Sequence, residues 1–359
     1  MRPEFKKITD TIWEIDPSFK AGMLVPARVI ATKQLLDSME DIVFDQLTNI
    51  ATLPGILKAA IAMPDAHVGY GAPIGAVAAF DKEKGVVVPG IVGFDINCGM
   101  RLIATNLTVK DVLPKIEILV SKLFERIPAG VGAKGFIRLN QQEFEKVMVN
   151  GATFAVEKEF GFTEDLESTE EGGAIQGANP ADVSQKACER GINQLGTLGS
   201  GNHYLEVQKV GEIFDPSTAA RLGVNSKDQI VVMVHCGSRG FGHQVGTDYL
   251  RIFENSMAKY GIKVTDLQLS AAPFKSPEGQ KYYSAMTAAA NLAFCNRQVI
   301  TARIREVFED IFGPNVKLDL VYDVAHNIAK IEEHQINGQA KEVLVLRKRA
   351  TRGYGAGNP

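Results

Sequence analysis

The chain of 359 residues is 45% hydrophobic and 23% charged, an ordinary globular composition with ample apolar surface for a large core. Its formal net charge of −3 excludes a whole-molecule basic field, so any nucleic-acid contact must come from a local patch. No run approaches the roughly 18 to 20 apolar residues that cross a bilayer, and Met1-Arg2-Pro3-Glu4-Phe5-Lys6-Lys7 lacks the apolar stretch of a secretory signal. A cytoplasmic protein with no membrane segment is expected, in which Cys98, Cys188, Cys236 and Cys295 stay reduced.

After a short start around Trp13, residues 32–51 carry apolar side chains at helical spacing (Leu35, Leu36, Met39, Ile42, Val43, Leu47, Ile50). From Ile61 to Leu102 short apolar runs alternate with glycine and proline, as in buried strands joined by tight turns. Residues 111–127 and 141–160 return to helical patterning. Residues 163–177 are acidic and glycine-bearing and predict a solvated loop, and Asn179-Pro180-Ala181-Asp182 opens a helix through about Gly191. Strands are predicted over 203–210 and 230–235, the longest helix over 278–312, and late strands over 318–325 and 343–346. Helices and strands mix without a regular βαβ rhythm, and no linker divides the chain. The expectation is an α+β fold, one large domain over residues 1–359 with buried mixed sheets surrounded by helices.

Six histidines are present, and three sit where a predicted strand meets a polar or glycine-rich turn: His203 after Gly199-Ser200-Gly201-Asn202, His235 before Cys236-Gly237-Ser238-Arg239-Gly240, and His326 after Val321-Tyr322-Asp323-Val324-Ala325. Such strand ends are where a rigid scaffold presents chemistry. In Gly93-Phe94-Asp95-Ile96-Asn97-Cys98-Gly99 a turn would bring the Asp95 carboxylate and the Cys98 thiol to one point. Taken singly, each histidine reads as a hydrogen-bonded structural residue and Cys98 as a small buried hydrophobe. Their coincidence in one chain points to a metal site. Asp95, Cys98, His203, His235 and His326 are more ligands than one tetrahedral ion needs, which suggests two divalent ions sharing a bridging Cys98. Donor softness leaves zinc and manganese both open. The glycine-rich turns 195–203 and 237–242 offer backbone N–H groups, the second with the Arg239 guanidinium, to a phosphate; singly, each also reads as a plain hairpin turn.

The blocks Pro64-Asp65-Ala66-His67-Val68-Gly69-Tyr70-Gly71, Gly93 to Arg101, Leu195 to Glu206, Val234 to Gly240 and Asp323 to Lys330 resemble, in order, the hallmarks of the RtcB family of RNA-splicing ligases. The resemblance spans the chain from about residue 20 onward and implies an RtcB-like fold. It also implies a GTP- and manganese-dependent enzyme of tRNA splicing and RNA repair, joining RNA 3′-phosphate or 2′,3′-cyclic phosphate ends to 5′-hydroxyl ends through a GMP–histidine intermediate. By the same resemblance, Asp95, Cys98, His203, His235 and His326 hold two manganese ions with Cys98 bridging. Asn202, His203, Tyr204, Leu205 and Glu206, with His326 and Asn327, form the guanylate site, and Arg190, Arg239 and Lys348 meet RNA phosphates. The partners implied are tRNA halves or broken RNA ends and an archease-type activator, with the chain a monomer.

The sequence departs from the family in two places. The nucleophilic histidine of the family lies in a His-Gly-Ala-Gly-Arg segment that these 359 residues do not contain, and a lysine placed at the family's extreme C-terminus is also missing. Where the family reads His-Arg-Lys-Gly-Ala-Thr-Arg, this chain has Leu346-Arg347-Lys348-Arg349-Ala350-Thr351-Arg352. His67, His243 and His334 lie outside the ligand set and none takes the nucleophile's place, so no catalytic residue is assigned and a C-terminally truncated family member is expected. The alternatives are an inactive metal- and nucleotide-binding remnant, or a dinuclear phosphodiesterase that opens cyclic phosphate ends with activated water.

Overall fold

The computed structural model describes residues 2–353, and its helices and mixed sheets make the α+β fold that the sequence predicts. The chain folds as two compact units built from interleaved segments. The first takes the residues up to Ile96, Gln244–Met286 and the residues from His326 onward; the second takes Asn97–His243 and Thr287–Ala325. Two of the crossings fall inside helices and the other two in short turns beside strands, which is why no boundary shows in the sequence.

The first unit is organised on a seven-stranded sheet in the order Lys6–Lys7, Ile12–Ile15, Ala27–Ile30, Ile56–His67, Ile74–Asp81, Gln339–Lys348, Asn327–Ile336. Every pairing is antiparallel except that of Ala27–Ile30 with Ile56–His67. The predicted helical stretch 32–51 is two helices, Lys33–Ser38 and Asp41–Ile50, and the second buries Val43, Phe44, Leu47 and Ile50 along one face. The long hairpin at 327–348 exceeds the predicted strand 343–346, because its outer half is polar and hides the alternation.

The second unit is organised on a four-stranded antiparallel sheet in the order Leu318–Ala325, Gly99–Thr108, Gln229–Cys236, Tyr204–Lys209. Ile103, Val232 and Val234 from its strands pack with Leu119 and Leu123 of the helix Ile116–Arg126. Ile300, Ile304, Val307 and Phe308, spaced to share one face of the long helix Pro277–Phe312, complete this apolar layer.

Two expectations are corrected. Residues 163–177 are not a solvated loop: they contain the helix Thr163–Glu167 and a 3-10 turn at Glu170–Gly173, and Asp165 is buried against Arg305 and Gln298. The turn at 237–242 leads straight into a helix, Arg239–Ser256, whose Gly240, Gly242 and Gly246 had disguised it. No described helix is long and apolar enough to cross a membrane.

Candidate metal centre

In the second unit the strand register itself assembles the candidate donors. Gly99 opposes Cys236, Met100 opposes His235, Tyr204 opposes His235, and Ala325 opposes Gly99. One end of the sheet therefore carries Cys98 just before a strand, His235 near the end of its neighbour and His203 just before the next. The Cys98 Sγ lies 3.2 Å from Nε2 of His203 and 3.1 Å from Nε2 of His235. All three donor atoms fall within 4.8 Å of one another.

The imidazoles meet edge to face with centroids 5.4 Å apart, and the Tyr204 ring closes on His235 at 5.3 Å. Cys98 is 1% and His235 6% exposed, while His203 is half-buried, so the cluster opens toward solvent only on the His203 side. A soft thiolate and two imidazole nitrogens converging at this spacing fit one divalent ion held at roughly 2.0–2.3 Å from each. The three form a group able to hold a metal ion as a set.

Asp95 and His326 belong to the first unit, where they are also brought together. Asn327, the residue after His326, donates through Nδ2 to the Asp95 carbonyl at 3.0 Å and accepts from the Arg349 backbone N–H at 2.8 Å. The His326 carbonyl accepts from the Ala350 N–H at 3.1 Å. Asn327 thus fastens the Asp95 turn to the strand that follows His326.

The segment 202–206 splits by strand alternation. Tyr204 points to the face of His235, Met100 and Met233, its hydroxyl 3.5 Å from the Met233 sulfur, whereas Leu205 and Val207 pack into the apolar layer. The Leu205 side chain, assigned to the guanylate site by the resemblance, is partly buried against that layer. Asn202 and Glu206 are exposed. Burial, with Glu206 nearby, raises the Tyr204 phenol above its ordinary range.

Arg239 stands at a positive φ of 58° and donates to Thr197 Oγ1 at 3.1 Å and to the Gly130 carbonyl at 3.0 Å, pinning its guanidinium beside the glycine turn before His203. Arg190 is exposed in the last turn of Gln185–Gly191.

Lys348, placed against RNA phosphate by the resemblance, is buried: it is 5% exposed and donates to the carbonyls of Tyr70, Ala72 and Gly90 at 2.6, 3.0 and 3.0 Å. Burial, with Arg349 beside it, pushes its ammonium down to about 7. Lys348→Met should cost about 2–3 kcal/mol by stranding these carbonyls, read as a lower urea midpoint, while leaving RNA affinity unmoved. A loss of RNA affinity with unchanged stability would contradict this.

His67 is exposed with Nδ1 at 2.9 Å from the Asp65 carbonyl, His243 is exposed, and His334 lies in the strand Asn327–Ile336 with Nε2 at 2.9 Å from Glu332. What the sequence reading missed is buried beneath the donors. Asp323 sits between Arg101 and Arg297, all 0% exposed, and the adjacent Asn296 and Arg297 lie inside the long helix. The signal was a polar run, Asn296-Arg297-Gln298, in the middle of an otherwise apolar helical pattern.

Residues 46–358 match the family model described as tRNA-splicing ligase RtcB. The tRNA-splicing ligase RtcB of Archaeoglobus fulgidus is 51% identical over 355 residues, covering 98% of this chain and 73% of the relative. That of Thermococcus kodakarensis is 52% identical over 358 residues, covering 99% and 74%. The RNA-splicing ligase RtcB of Mycobacterium bovis is 50% identical over 310 residues, covering 86% and 71%.

Proposed function

From the premise that the chain belongs to the RtcB family of tRNA-splicing ligases, we propose that it is an RNA ligase acting on 3′-phosphate or 2′,3′-cyclic phosphate ends and 5′-hydroxyl ends. The observation that carries this is the approach of one thiol sulfur to two imidazole nitrogens at 3.1 and 3.2 Å. Our reading is that Cys98, His203 and His235 hold manganese together with Asp95 and His326, with Cys98 bridging two ions. Bound ions would neutralise phosphoryl charge and align the attacking and leaving oxygens.

The chain's own residues supply the rest. The imidazoles present Nε2 to the Cys98 sulfur. Asn202, Tyr204 and Glu206, with the backbone at Leu205 and the pair His326 and Asn327, are proposed to receive GTP. Arg239, already braced against Thr197 and Gly130, offers a guanidinium to RNA phosphate without the entropy cost of ordering it. Arg190 adds a second cation. RNA halves or broken ends are the proposed substrates, with an archease-type activator, a monomeric chain and a cytoplasmic setting that keeps Cys98 reduced.

The test is manganese-dependent capture of radiolabelled GTP and of an RNA oligonucleotide ending in a 3′-phosphate. Both should bind with manganese present and be released by a chelator. Binding that ignores the chelator would overturn the reading. A polypeptide of these 359 residues, which do not include a His-Gly-Ala-Gly-Arg segment, should hold GTP without acquiring covalent label; an acid-labile label would show that a resident histidine is the nucleophile.

A further inference from the structure

We propose that Asn296 and Arg297, neighbours on the helix Pro277–Phe312, are positioning residues that set the spacing of Cys98, His203 and His235. The inference rests on the metal reading of that cluster. Each binds the backbone immediately around the donors, and together they connect all three chain segments that carry them.

Arg297 places Nη1 between two carbonyls, Asn97 and Cys236, at 2.8 Å each. Asn97 is the residue before Cys98 and Cys236 the residue after His235, so a single nitrogen ties the thiol-bearing turn to one imidazole-bearing strand end. Nη2 adds the Asn97 side-chain oxygen at 3.2 Å. That holds Asn97 at its positive φ of 51°, a conformation that non-glycine residues adopt at a cost. The guanidinium is itself aimed by a two-point grip on Asp323, Nε to Oδ2 at 2.8 Å and Nη2 to Oδ1 at 2.7 Å. The chain after Cys98 is laid flush against it: a Cβ on Gly99 would stand 3.2 Å from Arg297 Cζ and 2.4 Å from the Val324 carbonyl.

Asn296 makes the second link. Its Oδ1 accepts from the backbone N–H groups of Gly196 and Thr197 at 2.8 and 3.2 Å. Its Nδ2 donates to the Thr197 and Gly237 carbonyls at 3.1 and 3.4 Å and meets the Cys236 sulfur at 3.2 Å. The loop leading into His203 is thereby joined to the turn leaving His235.

Both residues are 0% exposed in a helix whose neighbours Ala293, Phe294, Val299 and Ile300 are apolar. Well-packed apolar side chains replacing the Arg101, Asp323 and Arg297 group as a whole would serve stability at least as well. What the polar pair adds is fixed distances among three separate segments, and a metal site tolerates errors of only about half an ångström in its donors.

Cobalt is the probe, because thiolate coordination gives it a near-ultraviolet charge-transfer band and its d–d bands report donor geometry. Wild type, Cys98→Ala, Arg297→Lys, Asn296→Leu and Arg305→Met are titrated with cobalt, and each is unfolded in urea. Arg305 is the control: it lies on the same helix and grips Asp165 and the Leu318 carbonyl, away from the segments that carry the donors. Arg297→Lys and Asn296→Leu should weaken cobalt binding by roughly 10- to 100-fold and shift the d–d bands, while Arg305→Met loses comparable stability but stays within about threefold in affinity.

Wild-type affinity and spectrum in both Arg297→Lys and Asn296→Leu would overturn the proposal and leave the metal reading standing, as would an equal affinity loss in Arg305→Met. Absence of the thiolate band from wild type, or its persistence in Cys98→Ala, would remove the metal reading and the proposal with it. Should Arg297→Lys fail to fold, Asn296→Leu decides alone, since it removes no charge from the Asp323 pair.

Discussion

Asp323→Ala should be among the most damaging single substitutions in the second unit, costing about 3–5 kcal/mol because it leaves two buried guanidinium groups without their carboxylate. Asp323 takes Arg101 Nε at 2.7 Å and Arg297 through both Nε and Nη2, and all three side chains are 0% exposed. Arg101 also donates to Gln298, Thr301 and Thr169, which are neutral and leave the charge where it is. A loss of this size is a large part of the roughly 5–15 kcal/mol that holds a typical domain together, so urea unfolding should show a much lower midpoint or no folded baseline.

Replacing the whole triad by apolar residues of similar volume should cost less than removing the carboxylate alone. An Asp323→Ala midpoint equal to wild type would mean that the two arginines find other partners. Acid should act through the same group. Burial alone would push the Asp323 carboxyl up, but Arg297 and Arg101 beside it hold it below the ordinary carboxylate range, and Arg305 does the same for the largely buried Asp165. A carboxyl whose folded value is depressed stabilises fully above its unfolded value. That contribution disappears as pH falls through the folded one, so stability should be flat near neutrality and drop below about pH 4.

The donors were readable from sequence because each stands next to a strand end and a permissive turn, a local feature that composition and periodicity mark. That Cys98, His203 and His235 share one end of one sheet depends on strand order and register, which no local pattern encodes; the family resemblance supplied it instead. The residues beneath them were not readable for a related reason. Asn296, Arg297 and Asp323 have meaning only through partners distant in sequence, Arg297 reaching Asn97 and Cys236. An arginine in a helical pattern normally reads as surface. Lys348 is a related case: a lysine at a basic family position reads as a phosphate contact, and its three carbonyl partners show only in the structure. The acidic run at 163–177 misled in the same way, since the burial of Asp165 follows from Arg305 far along the chain.

Gly199→Ala should abolish tight manganese binding, with an affinity loss on the order of 100-fold or more, above what a lost outer-shell contact alone costs. Gly199 does not have a positive φ, so alanine meets no backbone obstacle there. The obstacle is contact: a Cβ would stand 1.8 Å from Nδ1 of His203 and 2.6 Å from Nη1 of Arg239. The imidazole must swing away, carrying Nε2 off its 3.2 Å approach to the Cys98 sulfur, and the Arg239 guanidinium must leave its place beside the turn. Gly201 provides the comparison. It has a φ of +72° with nothing within 4 Å of a Cβ, so Gly201→Ala strains the loop but touches neither ring nor guanidinium. That substitution should cost about 1–2 kcal/mol of stability through the left-handed backbone alone, with manganese affinity largely kept. Titration of free manganese by electron paramagnetic resonance distinguishes the two. Equal affinities for wild type and Gly199→Ala would mean that His203 holds no metal, because no other route lets that ring keep its position beside an added methyl.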